Sequence, residues 1–310
     1  MLAKLKIFSL CGSMVVILSA CGGGGGGGSS SSATSAGFTS WGAVQPNSTV
    51  VASGNSTQFT YQASAATGVV SLLTNNGISN GGASVSLSYG SGSLNLTGIS
   101  IQSAQGATAS VGNGNGSVSV IGVGPVSQVV YGINAARSTE ILGINAPSLG
   151  WNYQTYGVWV TGEGTGGGTA GAVSGGSPTP VTGMPATGTA LFTGNAIGIV
   201  GAQGIPAYAM AASMAANTNF ASRSIAFSTS GSTAASFNGG GAFSAPGLNM
   251  SGTLAYGAGS NQFSGAVSAA NGMTGSVAGQ FYGPNANEIG GTFNLSSSSG
   301  MMGGGFGGKR

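Results

Sequence analysis

In the second half of this chain, large apolar side chains alternate with glycine, serine or threonine. That two-residue period commits the chain to β-structure. Trp151, Tyr153 and Trp159 share one parity, and so do Leu248, Met250, Leu254 and Tyr256. Successive side chains of a strand point to opposite faces, so such segments bury one face and leave the other small or polar. Eight strand candidates, several of which follow the pattern, run over residues 151–161, 189–199, 222–228, 248–256, 262–268, 273–282, 288–295 and 301–308. Asn271-Gly272 and the looser 257–261 segment supply turns between them. Shorter alternating segments occupy residues 57–61, 84–89, 94–101 and 117–121 of the first half. Asn76-Gly77, Asn80-Gly81 and Asn113-Gly114 offer the positive-φ positions of tight hairpins there. Residues 162–180, rich in Gly, Thr, Ser and Pro, read as a long loop, and alanine-rich residues 207–216 as one short helix.

Composition decides how such strands must be arranged. The 310 residues include 63 glycines, six Lys or Arg, three Asp or Glu and no histidine. Disordered chains combine low hydrophobicity with high charge and few aromatics, and this chain lacks the charge and spaces its aromatics along its strands. An open sheet this poor in charge would expose edges ready to pair with other chains. Closure into a small up-and-down barrel of about eight strands removes them, so the fold class is all-β.

The N-terminus is a targeting segment. Lys4 and Lys6 precede an apolar run over residues 7–18, which ends in Leu18-Ser19-Ala20-Cys21, the small-residue pattern of a lipoprotein cleavage site. The run is too short for a membrane-spanning helix, which needs about 20 apolar residues. Residues 1–20 are therefore expected to be a signal peptide and Cys21 the lipidated residue, with two or more acyl chains giving stable anchoring. The Gly and Ser runs within residues 21–37 form a tether. Removing the signal peptide removes two of the six basic groups, leaving four against three carboxylates, a net charge of +1. No basic stripe remains for nucleic acid.

Four stretches of the second half, Trp151-Asn152-Tyr153-Gln154-Thr155-Tyr156-Gly157-Val158-Trp159, residues 184–194, residues 279–293 and residues 306–310, together resemble the transferrin-binding protein B family of surface lipoproteins. The first is similar to the aromatic strand that opens the family's barrel. Residues 184–194, from Met184-Pro185-Ala186 to Phe192-Thr193-Gly194, resemble its second-strand signature. The longest runs from Gly279 to Phe293 and includes Phe281, Tyr282, Gly283, Pro284, Asn285, Glu288, Gly290, Gly291 and Phe293. Phe306-Gly307-Gly308-Lys309-Arg310 resembles the closing strand. The resemblance implies a β-rich handle-like domain at 38–146, followed by the barrel at 147–310. Within the long motif, Gly283-Pro284-Asn285 suits a tight turn, Glu288 suits backbone donors around it, and Gly290-Gly291 suits a bulge or a close strand approach.

What is missing narrows the chemistry. Without histidine there is no Ser-His-Asp triad and no ordinary general base near neutral pH. Glu140, Glu163 and Glu288 are dispersed in sequence, which disfavours a paired-carboxylate site, and Arg137 with Glu140 is expected as a solvated surface pair. Neither hard nor soft metals find a ligand set, and no cofactor is expected. The chain is expected to be no enzyme but an outer-membrane, surface-exposed lipoprotein that binds a solute or host carrier protein for iron-type nutrient acquisition. Its partners would be the membrane, through the lipid, and an outer-membrane transporter that receives the cargo. Trp41, Tyr61 and Tyr89 are candidate aromatic platforms, and the ligand-binding residues are otherwise unassigned. The alternative is a structural or adhesive surface lipoprotein with no small-molecule ligand.

Overall fold

The computed structural model describes residues 36–91, 96–236 and 241–310. Leu18, Ser19, Ala20, Cys21 and the tether as far as residue 35 lie outside them, as do Leu94 and Asn95. Two large antiparallel sheets account for nearly all of the described chain.

The first sheet gathers β1 (Ala36–Gly37), β2 (Thr49–Ala63), β3 (Val70–Tyr89), β4 (Leu96–Gln102) and β5 (Thr108–Gly112). It continues through β6 (Ser117–Val123), β7 (Val126–Ile133), β8 (Thr139–Ile144), β9 (Gln154–Thr161) and β10 (Gly167–Gly176). Its spatial order is β5-β4-β3-β2-β10-β9-β8-β7-β6, with β1 lying parallel to β2. Two expectations change here. Residues 151–161 were expected to open the barrel and 162–180 to be a loop, yet β9 and β10 are interior strands of the handle sheet. The small residues of β10, which in composition resemble a loop, suit a strand covered on both faces. A Cβ on Gly171 would lie 2.5 Å from the Trp159 ring, and one on Gly176 would lie 2.9 Å from that of Tyr282.

Asn113-Gly114 turns the chain from β5 into β6 with Asn113 at φ 51°, but these strands lie at opposite edges of the sheet and form no hairpin ladder. Asn76-Gly77 and Asn80-Gly81 instead sit inside the long β3, where its register against β2 slips. Their left-handed backbone makes bulges, because both flanks of β3 continue to pair with the same neighbour.

The second sheet is a closed barrel. Its staves are β11 (Thr189–Ala202), β12 (Tyr208–Asn219), β13 (Ser224–Ser236) and β15 (Met250–Tyr256), then β16 (Gln262–Ala269), β17 (Thr274–Tyr282), β18 (Glu288–Ser296) and β19 (Gly300–Lys309). The short β14 (Phe243–Ser244) attaches to β13. Each stave pairs with the next, and β11 with β19 closes the circle from Thr193↔Lys309 to Ala202↔Gly300. Residues 207–216 fall in β12 and not in a helix. Met210, Ala212, Met214 and Ala216 are all buried in the barrel core, and strands on both sides take the backbone hydrogen bonds. Helix propensity is a weak prior that tertiary context overrides.

Side chains fill the barrel. Phe281 contacts Phe192 at 5.9 Å and Phe263 at 5.5 Å between ring centroids, and Phe227 meets Phe306 at 4.9 Å. Each buried aromatic contributes roughly 1.5–3 kcal/mol through apolar area removed from water.

The outward residues of β18 and β19 do not face water. Glycines there admit side chains of the handle: Gly303 lies over Phe59, Gly305 over Tyr156, and Gly290 and Gly307 on either side of Gln154. A Cβ on Gly290 would come within 2.2 Å of Gln154 Oε1 and would displace that amide from its place against β18. The β17–β18 register runs without a slip, so Gly290-Gly291 serves close approach and makes no bulge.

Candidate functional site

The long motif is a docking element between the two sheets. Phe281 and Phe293 point into the barrel core, while Glu288 points away from it. Gly283 turns the chain at φ 80°, a backbone state that glycine adopts at no steric cost, followed by Pro284 and Asn285. The Glu288 carboxylate accepts the backbone N–H of Asn152 at 2.5 Å and that of Tyr153 at 3.0 Å. Its donors therefore come from the segment leading into β9, not from the motif's own turn. Burial raises the Glu288 pKa, and the N–H groups of residues 152–154 and the Lys309 charge oppose that rise. Around it, Gln154 Nε2 donates to the Ile289 carbonyl at 3.0 Å, and Ser174 Oγ lies 3.3 Å from the Tyr282 hydroxyl. Asn294 Nδ2 donates to Thr57 Oγ1 and to Asn75 Oδ1 at 2.8 and 2.9 Å.

The proposed aromatic platforms separate. Trp41 and Tyr89 are buried in the handle core, where Trp41 meets Phe38 at 4.8 Å and Tyr89 at 6.4 Å. The Trp41 indole N–H is taken by the Gln154 carbonyl at 3.0 Å, so neither ring is free to receive a ligand. Tyr61 is only half-buried, and it lines a cleft of about 1090 Å³ where the handle meets the barrel. The β2–β3 turn, Leu73, Arg137, Glu163 and Ile199 share that lining.

Sequence reasoning missed what stands at this cleft. Glu140, at the start of β8, pairs in register with Val160 of β9, and Glu163 lies two residues beyond the end of β9. The two carboxyls thereby meet, and Glu140 is buried to 2% exposure. Arg137 sits exposed in the β7–β8 turn at φ 55°, so the expected solvated Arg137–Glu140 pair does not describe this arrangement. Neither oxygen of Glu140 has a hydrogen-bond donor in regular geometry among the described residues. The Tyr131 hydroxyl and the Glu163 carboxyl are nonetheless its hydrogen-bonding neighbours, and the Arg137 charge bears on it from the turn. Burial first, and then the Glu140 charge, push Glu163 up to about 8. Burial raises Glu140 as well, so the two carboxyls hold a proton between them more readily than either would in water. Two carboxyls sharing one proton form a coupled acid pair. Among the described residues no group of three His, Cys, Asp or Glu side chains could hold a metal.

Residues 184–310 match the family described as the C-lobe and N-lobe beta barrels of Tf-binding protein B. The chain is similar to the transferrin-binding protein B of Haemophilus parasuis Hp5, in a double-mutant vaccine-antigen form, with 12% identity and a TM-score of 0.42; the match covers 86% of this chain and 76% of that one. The intact Ap-TbpB, with N and C lobes, is 12% identical at a TM-score of 0.40, over 88% of this chain and 77% of that one. The transferrin-binding protein B of serogroup B Neisseria meningitidis is 14% identical at a TM-score of 0.39, over 81% of this chain and 58% of that one. No curated protein matches the chain in sequence. The motifs of residues 184–194 and 279–293 lie inside the matched span, and they build β11, β17 and β18 of the closed barrel. The barrel of this chain, residues 184–310, is thus similar to the beta barrels of Tf-binding protein B.

Proposed function

We propose that this chain is an outer-membrane, surface-exposed lipoprotein, anchored through Cys21, that captures a host iron-carrier protein or a comparable solute without catalysing a reaction on it. The match of residues 184–310 to transferrin-binding protein B barrels is the observation that carries this reading. The packed barrel interior supports it, because aromatic side chains occupy the space a ligand inside the barrel would need. Capture then falls to the outer surface of the barrel loops and the handle, and a membrane transporter would receive the cargo.

Cells making the full chain test the reading. They should retain labelled transferrin or lactoferrin at their surface, and Cys21→Ser should release the protein from the membrane and abolish that retention. Surface retention that persists with Cys21→Ser would contradict the anchor. Absence of retention by cells that display the protein would contradict capture of these carriers.

A further inference from the structure

The cleft between handle and barrel has a floor and a head of different character. Phe59, Leu73, Val160 and Ile199 give it an apolar floor, and Glu163 stands at its margin with Glu140 behind. Its volume of about 1090 Å³ suits an organic ligand. The head is short of donors. Both oxygens of Glu140 and Oε2 of Glu163 are buried without a hydrogen-bond partner in regular geometry. Every other charged or titratable group that bears on the pair can be named. The Tyr61 hydroxyl of β2 already donates to the Thr161 carbonyl at 2.8 Å. The Tyr131 hydroxyl of β7 reaches the Glu140 carboxyl and can satisfy one of its lone pairs, and Arg137 is exposed in the β7–β8 turn. One shared proton and that hydroxyl leave the remaining carboxyl lone pairs empty, and buried acceptors without donors are costly. An N–H-bearing cation is the group that would satisfy them.

We propose that this cleft binds a small organic cation, an ammonium or guanidinium on an apolar body. The cationic head would sit against Glu163 and Glu140, and the body over Phe59, Leu73 and Ile199. On entry the head takes the place of the shared proton. The pair goes from one negative charge to two, the ligand brings one positive charge, and one proton leaves to solvent. Arg137 opposes the ligand, because it neutralises the pair from the solvent side.

Calorimetric titration of the chain comprising residues 22–310 with 2-phenylethylamine tests this, with 2-phenylethanol and 3-phenylpropionate as neutral and anionic controls of similar body. The amine stays protonated through the working range, as a lysine does. Saturable binding is expected for the amine alone. Release of one proton makes its affinity rise about tenfold per pH unit and level off above about pH 8. Glu163→Gln should weaken binding at least tenfold at pH 8, whereas Arg137→Gln should strengthen it, and thermal melts would establish that both variants fold. Equal binding of the alcohol, an affinity insensitive to pH, or indifference to Glu163→Gln would overturn the proposal. So would binding of the carboxylate that Arg137→Gln abolishes, or no saturable binding of the amine at millimolar concentration.

Discussion

Stability should fall as pH rises from 5 to 9, and Glu163→Gln should remove most of that fall. The chain has no histidine and no aspartate, so its three glutamates are the side chains that titrate across this range. All three are raised by burial, and Glu163 stands at about 8 against 4.5 unperturbed. A group with a raised folded-state pKa stabilises fully below its unfolded pKa, and that contribution is lost as pH climbs through the folded value. For Glu163 the window runs from about 4.5 to about 8. The full shift corresponds to roughly 4–5 kcal/mol, and partial solvent access to this carboxyl reduces it to about 2–3 kcal/mol. Glutamine at 163 keeps the shape and still donates an N–H to Glu140, so it mimics the protonated acid at every pH. Melting the lipid-free chain by circular dichroism at pH 5, 7 and 9 measures the difference. At pH 5 the variant and the wild type should coincide. At pH 9 the variant should melt about 5–10 °C higher, taking roughly 2–4 °C per kcal/mol for a protein of this size. A wild-type melting point that rises across the range, or an equal gap between the two proteins at pH 5 and pH 9, would refute the shared-proton pair.

Three further outcomes follow from the handle–barrel junction and the leader. Glu288→Ala strands the buried N–H groups of Asn152 and Tyr153 and should cost about 2–4 kcal/mol in denaturant unfolding. An unchanged midpoint would show that water replaces the carboxylate. Gly305→Val places a Cβ 2.8 Å from the Tyr156 ring and should destabilise by about 3 kcal/mol or separate the sheets, read as protease sensitivity of the junction. A variant as resistant as wild type would contradict the close approach. Metabolic labelling with palmitate should mark the full chain and not the Cys21→Ser variant, and label on both would place the lipid elsewhere.

The barrel was largely legible in the sequence because its staves show one face to a packed interior. The candidate segments at 262–268, 273–282 and 288–295 lie within one residue of β16, β17 and β18 at each end. What escaped prediction lies where the two sheets meet. The strand β10 resembles a linker because both of its faces are covered, which favours glycine and alanine over an alternating pattern. Residues 207–216 carry alanine because the barrel wall leaves little room there, not because they form a helix. Trp41 and Tyr89 carry no mark in sequence that separates a core ring from a binding platform. The Glu140–Glu163 pair had a faint signal. Antiparallel pairing of 139–143 with 157–161 brings the two glutamates together, but the aromatic alternation of 151–161 reads as a barrel strand and conceals that pairing. The role of Glu288 as an acceptor of backbone N–H groups was legible, whereas the identity of its donors required the fold.

Capture of a carrier is the central claim, and native mass spectrometry of the chain comprising residues 22–310 with transferrin, lactoferrin, haem and cobalamin tests it most directly. A saturable one-to-one complex with one of these is the predicted result. A chain that binds none of them and assembles on itself as concentration rises would contradict capture and support a structural or adhesive role at the cell surface.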